Sequence, residues 1–172
     1  MEDGRIVEAG CVGCEGMVGI PVLLGTGTTR MQTIIQIAGE GYMAKADAIL
    51  SVLQRRGAFH DMMQRYLHTL FVIASQSAAC NRLHSLDQRL SRWLLMSSDG
   101  IRSQRLALTQ EYLAGMLGVR RAGVTEAALK LQDDGLIRYT RGNIEITDRN
   151  GLEQRACECY AAVKQEYERL LS

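Results

Sequence analysis

Two adjacent arginines, Arg120 and Arg121, open a stretch in which polar residues recur at helical spacing. The polar side chains that follow on the outward face are Thr125, Glu126 and Lys130. An arginine guanidinium can bond O6 and N7 of guanine together or clamp a phosphate, and threonine and glutamate can contact base edges. These residue types at this spacing predict a helix whose polar face could contact a nucleic acid.

Two short helices joined by a tight turn are predicted around these arginines. Thr109 can cap the first helix, and Leu113, Met116 and Leu117 form its apolar stripe. Gly118 stands where this helix must end, because glycine accepts the left-handed backbone conformation of a tight turn. The second helix is expected to bury a stripe of its own, formed by Val124, Ala127, Ala128 and Leu131.

This arrangement predicts a helix-turn-helix over residues 109–132. Its second helix would enter a major groove, which requires a polar exposed face and an anchored apolar face. Short β runs at 137–140 and 144–146 would form a wing in which Arg138 and Arg141 reach phosphates. An ordinary helical hairpin beside a β-hairpin fits the same pattern and stays open as the alternative.

The composition is that of an ordinary globular protein. Charged residues make up 23% and hydrophobic residues 47%, which excludes a mainly disordered chain. The net charge is +1, and residues 101–149 hold eight Lys/Arg against six Asp/Glu, so DNA binding requires the arginines to gather on one face. The chain has no run of 18 apolar residues and no signal-peptide pattern, so we expect no membrane partner and a cytoplasmic location.

A long helix is predicted over residues 58–83, where apolar residues recur at spacings of three and four. Its length and its small residues favour a dimer interface, although an intramolecular core would also fit. The expected interface stripe is Leu67, Leu70, Ala74, Ser77 and Ala78.

The glycine-rich N-terminal part is predicted as β structure. Apolar or β-branched pieces bounded by glycine would form strands at 5–9, 17–24 and 31–37. The remaining expected elements are a short helix at 44–56, a polar loop at 97–105 and one last helix from about Arg149 to Leu171.

The five cysteines raise the question of a metal site. Cys11 and Cys14 have the C-x-x-C spacing, and Cys157 and Cys159 supply a second pair. The two pairs lie in different regions, and residues two apart on a helix point about 200° from each other. We therefore expect no metal and no cofactor, with Cys80 packed as a small hydrophobic residue.

No enzyme motif is present in the sequence. His60, His68 and His84 match no ligand spacing and are expected on helix surfaces. The chain lacks a G-x-x-x-x-G-K loop and a G-x-S-x-G elbow, so we expect that it is not an enzyme.

The stretch from Leu108 to Ile146 resembles the winged helix of the Crp/Fnr family of bacterial transcription regulators. The preceding segment, CNRLHSLDQRLSRWLLM, resembles the hinge that follows the family's dimerisation helix, and Met17 to Leu50 resembles the back half of its cyclic-nucleotide-binding β-roll. The resemblance implies an α+β fold in four parts. These are a partial β-roll at 1–57 that is a sensor remnant, a dimerisation helix at 58–83, a winged helix-turn-helix domain at 84–151 and a C-terminal helix at 152–172.

The resemblance also implies residue roles. The base-reading positions fall on Arg121, Ala122, Thr125 and Glu126. Several family members carry glutamate where this chain has Ala122, which changes the expected half-site because alanine offers only apolar contact. The full set of expected DNA contacts is Thr109, Gln110, Arg120, Arg121, Ala122, Thr125, Glu126, Lys130, Arg138 and Arg141.

A weak effector site is expected at Gly19 and Arg30. Arg30 matches the arginine with which the family's cyclic-nucleotide binders hold the phosphate. Ile20 and Met31 stand where those proteins carry a ribose-binding glutamate and a serine, and an apolar side chain cannot accept from a ribose hydroxyl. A plain β-turn is the alternative, and the identity of any small-molecule effector stays open.

The resemblance implies a dimeric, sequence-specific, DNA-binding transcription regulator. A two-fold dimer would place two recognition helices roughly 34 Å apart on a palindromic site. Double-stranded DNA, a second copy of the chain and RNA polymerase are the expected partners. The competing interpretation is a shortened, dimerising paralogue that acts as a protein-interaction module and does not read DNA.

Overall fold

A computed structural model describes residues 6–171, in which eight helices accompany a small antiparallel sheet. The α+β fold class is confirmed. The helices are α1 (Ile20–Leu23), α2 (Ala46–Gln54), α3 (Ala58–Leu83), α4 (Leu86–Ile101), α5 (Gln110–Leu117), α6 (Arg121–Asp133), α7 (Arg149–Arg155) and α8 (Cys159–Leu171). The strands are β1 (Arg105–Leu106), β2 (Ile137–Thr140) and β3 (Asn143–Ile146). Residues 1–5 and 172, which the expected domain boundaries include, lie outside the described part.

One core joins the sheet to α4, α5, α6 and α7. The strands run in the order β1-β3-β2, and the pairs Ile137–Ile146 and Tyr139–Ile144 fix the register of the hairpin. Alternate residues therefore point to the core, where helical leucines cover them. The fully buried side chains of this core include Leu90, Leu94, Leu95, Leu106, Leu113, Val124, Leu131, Ile144, Ile146 and Leu152.

The helix α4 is longer than the sequence predicts. Ser85 begins it with a capping box, in which its hydroxyl accepts from the Gln88 amide. The helix continues through Ser97 and Ser98, which were expected in a loop and are both buried. Serine is small enough to pack there, and the Ser98 hydroxyl donates to the Ser103 carbonyl at 2.8 Å. The expected loop at 97–105 is therefore wrong over its first half.

The expected single C-terminal helix is in fact two helices. Ala156 follows α7 in an extended conformation, with φ −67° and ψ 158°, so the chain changes direction before α8 begins at Cys159. The Ala156 amide still donates to the Leu152 carbonyl at 3.0 Å, which satisfies the last turn of α7. Helical periodicity alone does not show such a break, because both sides of it bury apolar residues.

The predicted N-terminal strands are wrong. Between residues 6 and 45 the structure contains the short helix α1 and no strand. A strand needs neighbours to take up its backbone hydrogen bonds, and the sheet of the described residues is built wholly from residues 105–146. The segment attaches through polar contacts instead, since the Tyr66 hydroxyl lies 2.9 Å from both the amide and the carbonyl of Met17.

The long helix α3 matches its predicted bounds and packs one face against α8. Its buried residues are Met63, Tyr66, Thr69, Ile73 and Cys80. The predicted interface stripe is only partly exposed: Ala74 and Ala78 are exposed, whereas Leu67, Leu70 and Ser77 are half-buried. The Ser77 hydroxyl accepts from Arg92 at 3.1 Å. Phe71, which lies outside the stripe, is 70% exposed. None of the described helices combines the length and the apolar character needed to cross a membrane.

Candidate nucleic-acid interface

The turn between α5 and α6 has the predicted geometry. The Thr109 hydroxyl caps α5 by accepting from the Tyr112 amide at 3.2 Å. Gly118 ends the helix with φ 65° and ψ 36°, the left-handed conformation that favours glycine. The Val119 amide then donates to the Ala114 carbonyl at 3.0 Å, which closes the turn. The direction of α6 is thus set by one glycine and one backbone hydrogen bond.

The buried face of α6 anchors the helix as predicted. All four residues of the expected stripe are nearly inaccessible to solvent and pack against α4 and α5. Gly123 also lies on this side, where an added Cβ would stand 3.1 Å from a methyl group of Leu86. Close packing on this face leaves the opposite side of α6 for other contacts.

The opposite face of α6 is polar and open. Arg121, Ala122 and Glu126 are exposed. Arg121 lies 4.0 Å from Glu111, and because both side chains are well exposed this ion pair contributes little stability. The side chains of Arg120 and Glu126 make no hydrogen bond or ion pair within residues 6–171. These charged groups are therefore available to a partner.

Two of the predicted contact residues meet each other. The Thr125 hydroxyl lies 2.8 Å from Oε1 of Gln110 and 3.1 Å from the Arg121 carbonyl. Thr125 is half-buried as a result, and its hydroxyl is already engaged within the domain. The pair links the start of α5 to the exposed face of α6.

Lys130 lies apart from the arginines that open α6. It is nine residues beyond Arg121, which corresponds to about 13 Å along the helix axis. Its Nζ forms an ion pair with Asp87 of α4 at 3.4 Å. The structure therefore places Lys130 towards α4, at the far end of the exposed face of α6.

The predicted wing is the β2–β3 hairpin, and its two arginines differ in their surroundings. Arg138 lies opposite Glu145 in the register and pairs with it at 3.4 Å. Arg105 of β1 contacts the same carboxylate at 3.2 Å. Arg141 stands at the turn beside Gly142, whose φ is 77°, and makes no side-chain contact within the described residues. The sequence analysis did not predict a role for Arg105, because a strand of two residues such as β1 shows no alternating pattern.

The start of α6 is itself suited to an anion. The capping residue, Arg120, gives no side-chain hydrogen bond to the helix, and the first turn contains no acidic residue. The first amide groups of a helix lack internal partners and carry the positive end of its dipole. Phosphate groups bind such helix starts readily.

The two expected effector residues lie in the irregular N-terminal part. Gly19 precedes α1 with φ 97°, and Arg30 is exposed in the loop that follows it. The Arg30 side chain contacts no acidic or polar group among the described residues. Neither residue lines the cavity beside α7 and α8 or the smaller one beside Arg102.

A group of potential metal ligands lies at the junction of α3 with α8. The ligand atoms of Cys80, His84, Cys157 and Cys159 all fall within 4.8 Å of one another. Burial raises the pKa of the Cys157 thiol to about 12. Sequence reasoning missed this group because it placed the last two cysteines on one unbroken helix. The spacing C-x-x-x-H together with C-x-C was the available signal.

One protein family and several solved structures match parts of this chain. Residues 88–155 match the family described as the Crp-like helix-turn-helix domain. A transcriptional regulator of the crp/fnr family from Eubacterium rectale is 26% identical, with a TM-score of 0.48, over 62% of this chain and 50% of that chain. A CRP-family regulator from Thermus thermophilus is 21% identical, with a TM-score of 0.48, over 54% and 51%.

A mutant of CooA from Carboxydothermus hydrogenoformans shares the fold. It is 19% identical, with a TM-score of 0.52, over 63% of this chain and 53% of that chain. This chain therefore spans about half the length of the solved structures that it matches. No curated protein matches it in sequence.

Proposed function

We propose that this chain is a sequence-specific DNA-binding transcription regulator, because its residues 88–155 match the Crp-like helix-turn-helix domain. The observation that carries the proposal is the exposed polar face of α6. That face has unpaired charged groups, while the opposite face of the same helix is buried in the core. A helix anchored in this way can enter a major groove without unfolding any other part of the domain.

Base reading would fall on the first two turns of α6. Arg121 can turn from its weak contact with Glu111 to O6 and N7 of guanine at little cost, because the ion pair is exposed. Ala122 would contact a thymine methyl group, and Glu126 would accept from the amino group of cytosine. Thr125 would act through Gln110, whose amide it orients.

Phosphate contacts would come from three places around α6. Arg120 and the amides at the start of the helix would hold one phosphate. Thr109 and Gln110 at the start of α5 would hold another. In the wing, Arg141 is the stronger candidate, because Arg138 must first leave Glu145.

A dimer would bring two such helices to one side of a duplex. The exposed side chains of Phe71, Ala74 and Ala78 on α3 would contact a second copy of the chain. Two-fold symmetry would then make the target a palindrome with half-sites roughly 34 Å apart. In this proposal the regulator acts in the cytoplasm and communicates with RNA polymerase.

The test is selection of binding sites from a random duplex pool, followed by titration of the chosen site at several salt concentrations. We expect a two-fold symmetric consensus and an affinity that falls steeply with salt. Arg55→Ala is the matched control, because this exposed arginine lies at the end of α2, outside residues 88–155. A chain that dimerises but binds no duplex at low salt would instead be the protein-interaction module.

A further inference from the structure

Four side chains from distant parts of the sequence meet where α3 ends and α8 begins. Cys80 lies in the last turn of α3, and His84 is the residue that ends this helix. Cys157 lies in the break after α7, and Cys159 is the first residue of α8. The break matters because it removes the 200° separation that a continuous helix would impose on the two cysteines.

Two distances within the group are close to those of a tetrahedral site. The sulfurs of Cys80 and Cys157 are 3.5 Å apart, and the Cys159 sulfur is 3.5 Å from Nδ1 of His84. Zinc bonds of about 2.3 Å to sulfur and 2.0 Å to nitrogen place tetrahedral ligands about 3.5–3.8 Å apart. We propose that Cys80, His84, Cys157 and Cys159 bind one Zn²⁺ ion.

The surroundings orient the ligands. Nδ1 of His84 faces the sulfurs, while Nε2 of the same ring lies 3.1 Å from a carboxylate oxygen of Glu158. Histidines that bind metals usually make such a contact with their second nitrogen, because it fixes the tautomer of the ring. The Gln76 amide also donates to the Cys159 sulfur at 3.0 Å, as expected for a thiolate ligand.

A buried positive charge stands beside the group. Arg92 is 8% exposed, and its Nη2 donates to Ser77, one helical turn before Cys80. Its Nε and Nη1 are buried with no hydrogen-bond partner among the described residues. A guanidinium in this position needs a counter-charge. Zinc bound by three thiolates and one neutral imidazole carries one net negative charge, which supplies it.

The ligand set selects zinc among the common metals. Thiolates and imidazole are soft or intermediate ligands, and four of them in a closed tetrahedron form a structural zinc site. An iron–sulfur cluster needs its ligands farther apart, since several iron and sulfide atoms must lie between them. The bound ion would tie the end of α3 to the start of α8 and hold the joint between the long helix and the DNA-binding domain.

The test uses the purified full chain, reduced, stripped of metal and titrated with Co²⁺ and then Zn²⁺. We expect one equivalent of Co²⁺ to give the intense visible bands of tetrahedral cobalt with a thiolate charge-transfer band, and Zn²⁺ to abolish them. Cys157→Ser should lose these bands. The double variant Cys11→Ser with Cys14→Ser is the matched control and should keep them, because these cysteines do not belong to the group.

Glu158→Gln separates the metal site from a folding defect. It keeps all four ligands and should weaken zinc about 10–100-fold without abolishing the cobalt spectrum. Absence of cobalt bands in the unaltered, reduced chain would overturn the proposal. So would bands that survive in Cys157→Ser or vanish in the Cys11/Cys14 control. Loss of two thiols as a Cys80–Cys157 disulfide, with no zinc uptake by the reduced chain, would also contradict it.

Discussion

Gly118 and Gly115 lie three residues apart and should respond in opposite ways to alanine. Gly118 has φ 65°, and a left-handed conformation costs a residue with a Cβ about 1–2 kcal/mol. An added Cβ would also stand 3.2 Å from a methyl group of Val7, so this neighbour must shift. Gly118→Ala should therefore destabilise the protein by about 1–2 kcal/mol.

Gly115 lies inside α5 with an ordinary helical conformation. The nearest atom to an added Cβ is the Ile6 carbonyl oxygen at 4.0 Å, which is an ordinary contact. Alanine restricts the unfolded chain and suits a helix better than glycine, so Gly115→Ala should stabilise the protein by about 0.5–1 kcal/mol. The two variants should thus differ by about 2 kcal/mol.

Urea unfolding at one fixed protein concentration measures this difference. The midpoint should move down for Gly118→Ala and up for Gly115→Ala, with an unchanged slope. Equal midpoints would show that the turn does not adopt the left-handed conformation. The orientation of α6 derived from it would then be wrong as well.

Three further predictions concern charge. Arg121→Ala should weaken binding to the selected duplex by roughly 1–3 kcal/mol and relax specificity at one base pair. Arg141→Ala should instead weaken binding to all sequences alike and reduce the slope of log affinity against log salt concentration by about 1. Titrations against matched and mismatched duplexes distinguish the two effects. Glu145→Gln removes the ion pair with Arg138, so non-specific DNA binding should become tighter. The free energy of unfolding should change by less than about 1 kcal/mol, because the pair is exposed. Weaker DNA binding would contradict the assignment of the β2–β3 hairpin as a phosphate-contacting wing. Burial raises the pKa of Glu8 above its unfolded value of 4.5, so the folded state binds the proton more readily and stability is lost as the pH rises through this range. Glu8→Gln should remove that loss, which urea midpoints at about pH 5 and about pH 7 would reveal; an identical pH dependence in both proteins would refute it.

The helix-turn-helix could be predicted because its signals are local. The apolar stripes of α5 and α6 repeat within a few residues, and Gly118 marks the turn between them. The same holds for α3, whose predicted bounds agree with the structure at both ends. For α5 and α6 the side that the sequence assigns to the core is the side that the structure buries, whereas for α3 the agreement concerns the bounds alone.

The N-terminal part could not be predicted in this way, because a strand depends on a partner that its own sequence does not contain. Residues 31–37 have the apolar, β-branched character of a strand, yet Ile35 is 85% exposed and pairs with no other strand. The segment is held by side chains instead. Glu8, for example, accepts from Trp93 at 3.2 Å, and the amide of Gln36 donates to its carboxylate at 2.6 Å. Such contacts between distant residues leave no periodic signal.

The group of three cysteines and one histidine is likewise formed by residues that are distant in the sequence. Unlike the N-terminal contacts, it affects how the candidate DNA interface is placed. The orientation of α6 within its domain is set by the turn at Gly118 and by the buried stripe. The placement of that domain relative to α3 is set separately, by the packing of α3 on α8 and by the contacts of His84 and Cys80 with the start of α8. In the proposed dimer, the two copies of α6 would meet one face of a duplex only if both constraints hold. A change at the end of α3 should therefore alter DNA affinity even though it lies outside the proposed DNA-binding domain.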